Sequence, residues 1–322
     1  MNEVIQGLSN EEYHRGEKYR DYLSSTQLKA YALSPKHAKF MRDNPQEQTD
    51  AMRFGSLFHD LMASLAEENG AWKWGYSKWL DGLARFEPPI NPKTNDYYGA
   101  TTKAYAEAYQ KFLADNEDKT IAKTTDSDLA SDMAYSLLTD CDSTSEQVRK
   151  LLKWGKPEVS HFFEYEGCKF KFRPDLETRK KIIDYKTVAT DDLSERSINN
   201  IISRYGYDVS AAFYLFGEHE QSGIWKTFYW LFVSKVPPYD AVLVDASEWT
   251  YKYDSDSDIV MPQVGAIKMQ RLLDLHVKCT KENVYPGAEI NIPEDDYGRR
   301  IMCPTPPPWE VNLASLILEQ SI

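Results

Sequence analysis

The chain has little cysteine, an excess of acid over base, and no long apolar run. Its four cysteines, Cys141, Cys168, Cys279 and Cys303, are scattered over 322 residues. None forms a C-x-x-C pair, so a zinc site is not expected and reduced thiols are the default. Lys and Arg number 38 against 50 Asp and Glu, a net charge of −12. Phosphate neutralisation dominates non-specific nucleic-acid affinity, so this is not a chain that coats DNA, although a local basic channel stays open to it. No stretch approaches the roughly 20 apolar residues of a membrane span. The N-terminal Met1-Asn-Glu-Val-Ile-Gln shows no basic segment followed by an apolar core, and a cytoplasmic location is expected. A G-x-x-x-x-G-K-[ST] phosphate loop is missing, so a helicase motor of that type would be a separate subunit. No repeat or low-complexity tract stands out.

What is there is a folding composition, 42% hydrophobic and 13% aromatic. Periodicity predicts one domain: a mainly helical part over 1–155, a sheet core with flanking helices over 156–282, and a tail over 283–322. Residues 1–22 read as an irregular arm. Ser24-Ser25-Thr26 caps a helix, and Ser34-Pro35 opens another, with proline at its first turn. Phe54 begins a helix whose stripe is Leu57, Phe58, Leu61, Met62 and Leu65, with His59 beside it and Gly55 allowing a close backbone approach. The Trp-, Gly- and Pro-rich stretch 69–99 reads as a loop-like insertion with a short strand, whose tryptophans either pack or stack on unpaired bases. Helices follow over Thr101–Asn116, Asp126–Leu138 and Ser145–Leu152, with Asp126 and Ser145 as candidate caps. Further helices are expected over Leu193–Arg204 and Tyr207–Glu218, and strands over Trp225–Ser234 and Tyr239–Asp245. A long helix over Ala246–Glu282 is expected to break near Pro262. Trp309, Val311, Leu313 and Leu316 are expected to dock the tail. The order implies an α/β fold, a central mixed sheet flanked by helices.

The chemistry concentrates between Glu158 and Lys186. Alternation over Val159–Glu166 and Cys168–Phe172 about Glu166-Gly167 predicts a β-hairpin. Pro174 takes the chain out of the ladder, because proline has no N–H to donate. Lys181–Lys186 then reads as a third strand. Residues i and i+2 share a strand face, so Asp184 and Lys186 point the same way and Tyr185 points opposite. With Asp175 near by, and Glu158 as a further carboxylate, the group can hold a hard divalent cation of the Mg²⁺ type. Lys186 is placed to orient or deprotonate a water while the cation acts at a phosphoryl oxygen.

Asp175 followed by Asp184-x-Lys186 resembles the PD-(D/E)xK nuclease signature. The wording Arg173-Pro174-Asp175 … Asp184-Tyr185-Lys186-Thr187 is similar to the branch containing the RecE exonuclease (exonuclease VIII) and its phage relatives, with RecB, Cas4 and lambda exonuclease as wider kin. Gly55-x-x-x-His59 resembles the helix of that branch whose histidine faces the metal. Tyr207-Asp-Val-Ser-Ala-Ala-Phe-Tyr214 resembles its Y-x-V-Q-x-A-x-Y segment, with Ser210 in the glutamine place. The resemblance implies a restriction-endonuclease-like core and a Mg²⁺- or Mn²⁺-dependent 5′→3′ exonuclease on linear double-stranded DNA, leaving 3′ single strands. It implies catalysis by Asp175, Asp184, Lys186 and Glu158, metal ligation by Asp175, Asp184, His59 and Glu158, and DNA contacts by Arg173 and Tyr214. It further implies a ring-shaped trimer or tetramer and a RecT-type single-strand annealing partner, in a bacterial or phage-infected cell. The iron–sulfur cluster of Cas4-type relatives is not expected, because only Cys279 and Cys303 lie late and they lie far apart. Endonuclease action, a nuclease module of a repair complex, and a catalytically inactive DNA-binding protein are the alternatives.

Overall fold

The structure is a computed structural model that describes residues 2–45, 48–254, 259–294, 300 and 302. In chain order its first elements are β1 (Glu3–Ile5), α1 (Asn10–Arg15), α2 (Ser25–Ala30), α3 (Pro35–Asp43), α4 (Asp50–Glu67), α5 (Trp72–Asp81), β2 (Leu83–Phe86), α6 (Lys103–Asp115), β3 (Thr120–Lys123), α7 (Thr124–Thr139) and α8 (Ser143–Trp154). There follow β4 (Lys156–Pro157), β5 (Ser160–Tyr165), β6 (Cys168–Phe172), β7 (Leu176–Glu177), β8 (Lys181–Val188), α9 (Glu195–Tyr205), α10 (Tyr207–Ser222), β9 (Thr227–Ser234) and β10 (Ala241–Asp245). The last are β11 (Tyr251–Asp254), β12 (Ile259–Pro262) and α11 (Val264–Glu282), before a short 3₁₀ turn at Ala288–Asn291.

A five-stranded mixed sheet in the order β10-β9-β8-β7-β4 forms the centre. Strand β8 runs parallel to β9 and antiparallel to β7. Alternation along β8 sends Ile183 and Tyr185 into a core with α4, α7 and α8, and sends Ile182 and Val188 into a second core with α9 and α10. Helices therefore cover both faces, as the α/β reading requires. Phe58, Leu61, Met62 and Leu65 of α4 are fully buried. Each is worth roughly 1.5–3 kcal/mol of transfer free energy, so this stripe fixes α4 on the sheet.

The hairpin β5–β6 forms as the alternation predicts, turning through Glu166 (φ 51°) and Gly167 (φ 79°). It joins β1 in a separate three-stranded sheet. The arm over 1–22 is accordingly not irregular: β1 pairs with β5, and Tyr13, Tyr19 and Tyr22 pack around Phe162. Four other expectations are corrected. Within 69–99, Trp72–Asp81 is helical and Leu83–Phe86 is a strand, because Trp79 joins the core and Gly75 lets α5 lie on α4, where a Cβ would meet the Leu65 Cα at 2.7 Å. Gly55 itself faces open space. Tyr251–Asp254 and Ile259–Pro262 pair antiparallel as β11 and β12 rather than starting a helix, and α11 begins only after Pro262. Helix α8 is capped by Asp142, whose carboxylate accepts from the Ser145 N–H, while α7 has no side-chain cap. The tail residues Trp309, Val311, Leu313 and Leu316, and Cys303, lie outside the described residues.

Candidate active site

Strand β7 pairs with β8 only as far as Leu176 opposite Ile183. Beyond that point the Tyr185 N–H needs another acceptor. Asp175, the residue before β7, supplies it: its Oδ2 accepts from Tyr185 N at 2.6 Å. Its Oδ1 lies 3.0 Å from Nδ1 of His59 on α4. The same imidazole places Nε2 at 3.1 Å from the Tyr185 carbonyl oxygen. On the other face of β8, Asp184 and Lys186 form an ion pair. The Lys186 ammonium sits 4.7 Å from the ring centre of Tyr207, at the start of α10. A helix from the first third of the chain, a strand end and a central strand thus meet at one corner that stays partly open to solvent.

The electrostatics follow from that crowding. Burial acts against the His59 imidazolium, but the Asp175 carboxylate outweighs it and raises the pKa above the ordinary value. Burial acts against Asp175 ionising, and His59, Lys186 and the Tyr185 N–H together hold its pKa below the usual carboxylate range. Asp184 goes the other way: burial, with the charge of Asp175, raises it despite Lys186. Burial likewise opposes the Lys186 ammonium, yet Asp184 and Asp175 keep it charged, with a raised pKa. Without a cation, Lys186 is therefore held as an ammonium that can donate hydrogen bonds to a water or a phosphate oxygen.

Glu158 reaches the same corner. Its N–H donates to the Asp175 carbonyl at 3.3 Å, and its backbone is left-handed (φ 48°), a conformation that costs a non-glycine residue about 1 kcal/mol. Burial raises its carboxyl pKa, countered by Arg173, whose guanidinium lies 4.0 Å away. Arg173 serves the interior. It donates to Ser160 Oγ, Asn10 Oδ1 and the Leu8 carbonyl, and lies over the Tyr13 ring at 4.0 Å. Lys171 donates to the Tyr13 and Tyr19 carbonyls. Both cations pin the N-terminal arm rather than an open groove. Tyr214 is also largely internal, packed on Phe172 and Phe228, with its hydroxyl bonded to Ser25.

Two residues here escaped the reading of the sequence. Lys29 on α2 donates to the Tyr205 carbonyl at 3.1 Å and lies 5.8 Å from the Tyr207 ring. Burial, then the charge of Lys186, lowers its pKa to about 8. Asp60 follows His59 on α4, and burial, with Glu158 adding, pushes its carboxyl up to about 7. Nothing in the periodicity of α2 marks Lys29; adjacency to His59 was the one available signal for Asp60.

A family described as a PDDEXK-like domain of unknown function (DUF3799) matches residues 24–287. The chain belongs to this PDDEXK-like family. Pro174-Asp175 and Asp184-Tyr185-Lys186 spell the residues in the family's name. A solved structure from Eubacterium rectale, described as "Putative exonuclease", aligns over 97% of this chain and 99% of its own at 14% identity, with a TM-score of 0.48. No curated protein matches the chain.

This PDDEXK-like domain offers donors that fit a hard divalent cation. Asp175 and Asp184 are buried close enough for the charge of one to raise the pKa of the other, a repulsion that a cation relieves. Carboxylate oxygens with one imidazole suit Mg²⁺ or Mn²⁺. Among the described residues, a different group, His161, Glu177 and Glu218, brings its potential ligand atoms within 4.8 Å of one another. That group is already closed by an internal cation: Lys226 lies 3.2 Å from Glu177 and 3.1 Å from Glu218. It is also buried, whereas the corner at Asp175 and Asp184 stays partly open to solvent. A cavity of about 610 Å³ beside Trp225, Tyr251 and Ile267 contains none of these residues.

Proposed function

We propose that the chain is a metal-dependent deoxyribonuclease that works as a 5′→3′ exonuclease on linear double-stranded DNA. The observation that supports it is the meeting of His59, Asp175, Asp184 and Lys186 at one solvent-accessible corner of a PDDEXK-like fold. A divalent cation held by Asp175 and Asp184, with His59 and Glu158 beside them, would supply Lewis-acid polarisation of a phosphoryl oxygen. The protein's own groups then divide the work. Asp175 is fixed by the Tyr185 N–H and His59, so its carboxylate is pre-aimed. Lys186 gives one N–H to Asp184 and keeps others for the attacking water or the phosphate, where the charge on phosphorus oxygens grows. Direction, duplex preference, a ring-shaped homo-oligomer, a RecT-type annealing partner and a cytoplasmic site of action belong to the same proposal and rest on the resemblance to the RecE branch.

The test is digestion of linear duplex DNA, 5′-labelled on one strand, beside a covalently closed circle, with Mg²⁺, Mn²⁺ or EDTA. Early release of labelled mononucleotide with the circle intact is the expected result. Cutting of the circle would replace exonuclease with endonuclease action. No cleavage with either metal would leave a binding role.

A further inference from the structure

The rings of Tyr205 and Tyr207 stack at 5.5 Å with an interplanar angle of 21°. They are the last residue of α9 and the first of α10. Between them Gly206 adopts the left-handed conformation (φ 60°), which lets two helices join through one residue and brings the rings side by side. The inner ring, Tyr207, faces Lys186 at 4.7 Å and Lys29 at 5.8 Å. The outer ring, Tyr205, is 52% exposed. Arg204 lies over it at 5.6 Å. Lys29 is bonded to the Tyr205 carbonyl, and among the described residues no carboxylate comes within ion-pair distance of its ammonium. Exposed aromatics are common and carry little meaning singly. This one is different because it caps a stack that ends on the candidate catalytic lysine, and because three cations, Lys29, Lys186 and Arg204, gather around the two stacked rings in a chain of net charge −12.

We propose that Tyr205, stacked on Tyr207 and flanked by Lys29 and Arg204, is a nucleotide platform: an unpaired base of the substrate strand stacks on the exposed part of the Tyr205 ring, beside the Arg204 guanidinium, while a neighbouring phosphate meets the Lys29 ammonium. The platform lies within about 10 Å of Lys186, a nucleotide or so from the scissile phosphate. Stacking uses the π-face that every base has, so the platform confers grip on a single strand without sequence preference. This rests on the nuclease reading, and it assigns the strand entering the site a splayed, single-stranded end.

The test is an abasic scan. Single-stranded oligonucleotides carrying one abasic residue at successive positions are bound to the full-length protein, with Ca²⁺ replacing Mg²⁺ so that turnover does not compete. At one position the missing base should weaken wild-type binding about tenfold. Tyr205→Ala should bind intact and abasic strands equally at that position, and Tyr205→Phe should restore the difference. Lys29→Ala should lower the dependence of log affinity on log salt by about one. An abasic penalty as large in Tyr205→Ala as in the wild type would overturn the platform. Cleavage in Mg²⁺, followed in parallel, separates the two readings: failure of the platform leaves wild-type cleavage in place, whereas failure of the nuclease reading removes cleavage from the wild type itself.

Discussion

His59 and Asp175 face each other at 3.0 Å, Nδ1 to Oδ1, while the same imidazole turns Nε2 to the Tyr185 carbonyl oxygen at 3.1 Å. A carbonyl oxygen only accepts, so Nε2 carries a hydrogen. Nδ1 then holds either a second hydrogen toward the carboxylate or a lone pair toward a cation. The raised pKa favours the imidazolium when no cation is bound. Metal binding should therefore release a proton. The Mn²⁺ concentration for half-maximal thermal stabilisation is expected to fall as pH rises from roughly 6 to 8. His59→Gln should flatten that dependence. Titration calorimetry in buffers of different ionisation enthalpy reads the proton directly, and finding none would remove His59 from the ligand set.

Asp60 gives a prediction of opposite sign. Its folded pKa, about 7, stands above the unfolded value of 3.8 because of burial, with Glu158 adding. The folded chain thus holds this proton longer than the unfolded chain does. Stability then falls as pH rises from about 4 to about 7. Asp60→Asn avoids the loss. In urea unfolding with EDTA present, the variant should be level with wild type near pH 4 and more stable by roughly 1–3 kcal/mol near pH 8. Equal pH dependence in the two proteins would mean that Asp60 is well solvated.

The closed cluster at Lys226 should prove structural. His161 stacks on Phe172 at 4.4 Å, bonds Gln221 and Glu177, and shares the two carboxylates with Lys226. Lys226→Met leaves two buried carboxylates facing one histidine. The expected cost is about 3–5 kcal/mol, the range for breaking a buried pair from one side. Adding Glu218→Gln should recover part of it. Urea midpoints at constant slope measure both.

Gly206 carries a smaller load. An alanine there would hold φ 60° and press its Cβ to 3.1 Å from Lys29 Cδ. Gly206→Ala is expected to lose about 1 kcal/mol of stability, and thermal unfolding reads it.

These residues also mark how far the sequence could be read. The hairpin β5–β6 and the shared face of Asp184 and Lys186 were legible because strand period is a local property. The capping of α2 was legible too: Ser24 and Gln27 bond reciprocally. Helix α5 was not, because its Trp and Gly content favours no state and its N-terminal Ala71 makes no capping bond; it is helical through packing on α4. The pair β11–β12 was missed because each strand is four residues long, too short a run for its alternation to stand out before the long apolar stripe of α11. At the site, period alone could not bring His59 to Asp175, nor Lys29 to Tyr205, 176 residues away. Only the resemblance pointed to His59, and nothing pointed to Lys29. Arg173 looked like a free cation beside the motif; the arm that uses its donors lies more than a hundred residues earlier in the chain.

The central claim is that Asp184 and Lys186 act together on a phosphodiester bond. The most direct measurement is the initial rate of mononucleotide release from linear duplex DNA in Mg²⁺, for wild type, Lys186→Ala and Asp184→Asn, with each variant's fold checked by circular dichroism. The predicted result is a fall of roughly 10²–10³-fold or more in both folded variants. Wild-type rates in either folded variant would contradict the account and place the hydrolytic site elsewhere in the chain.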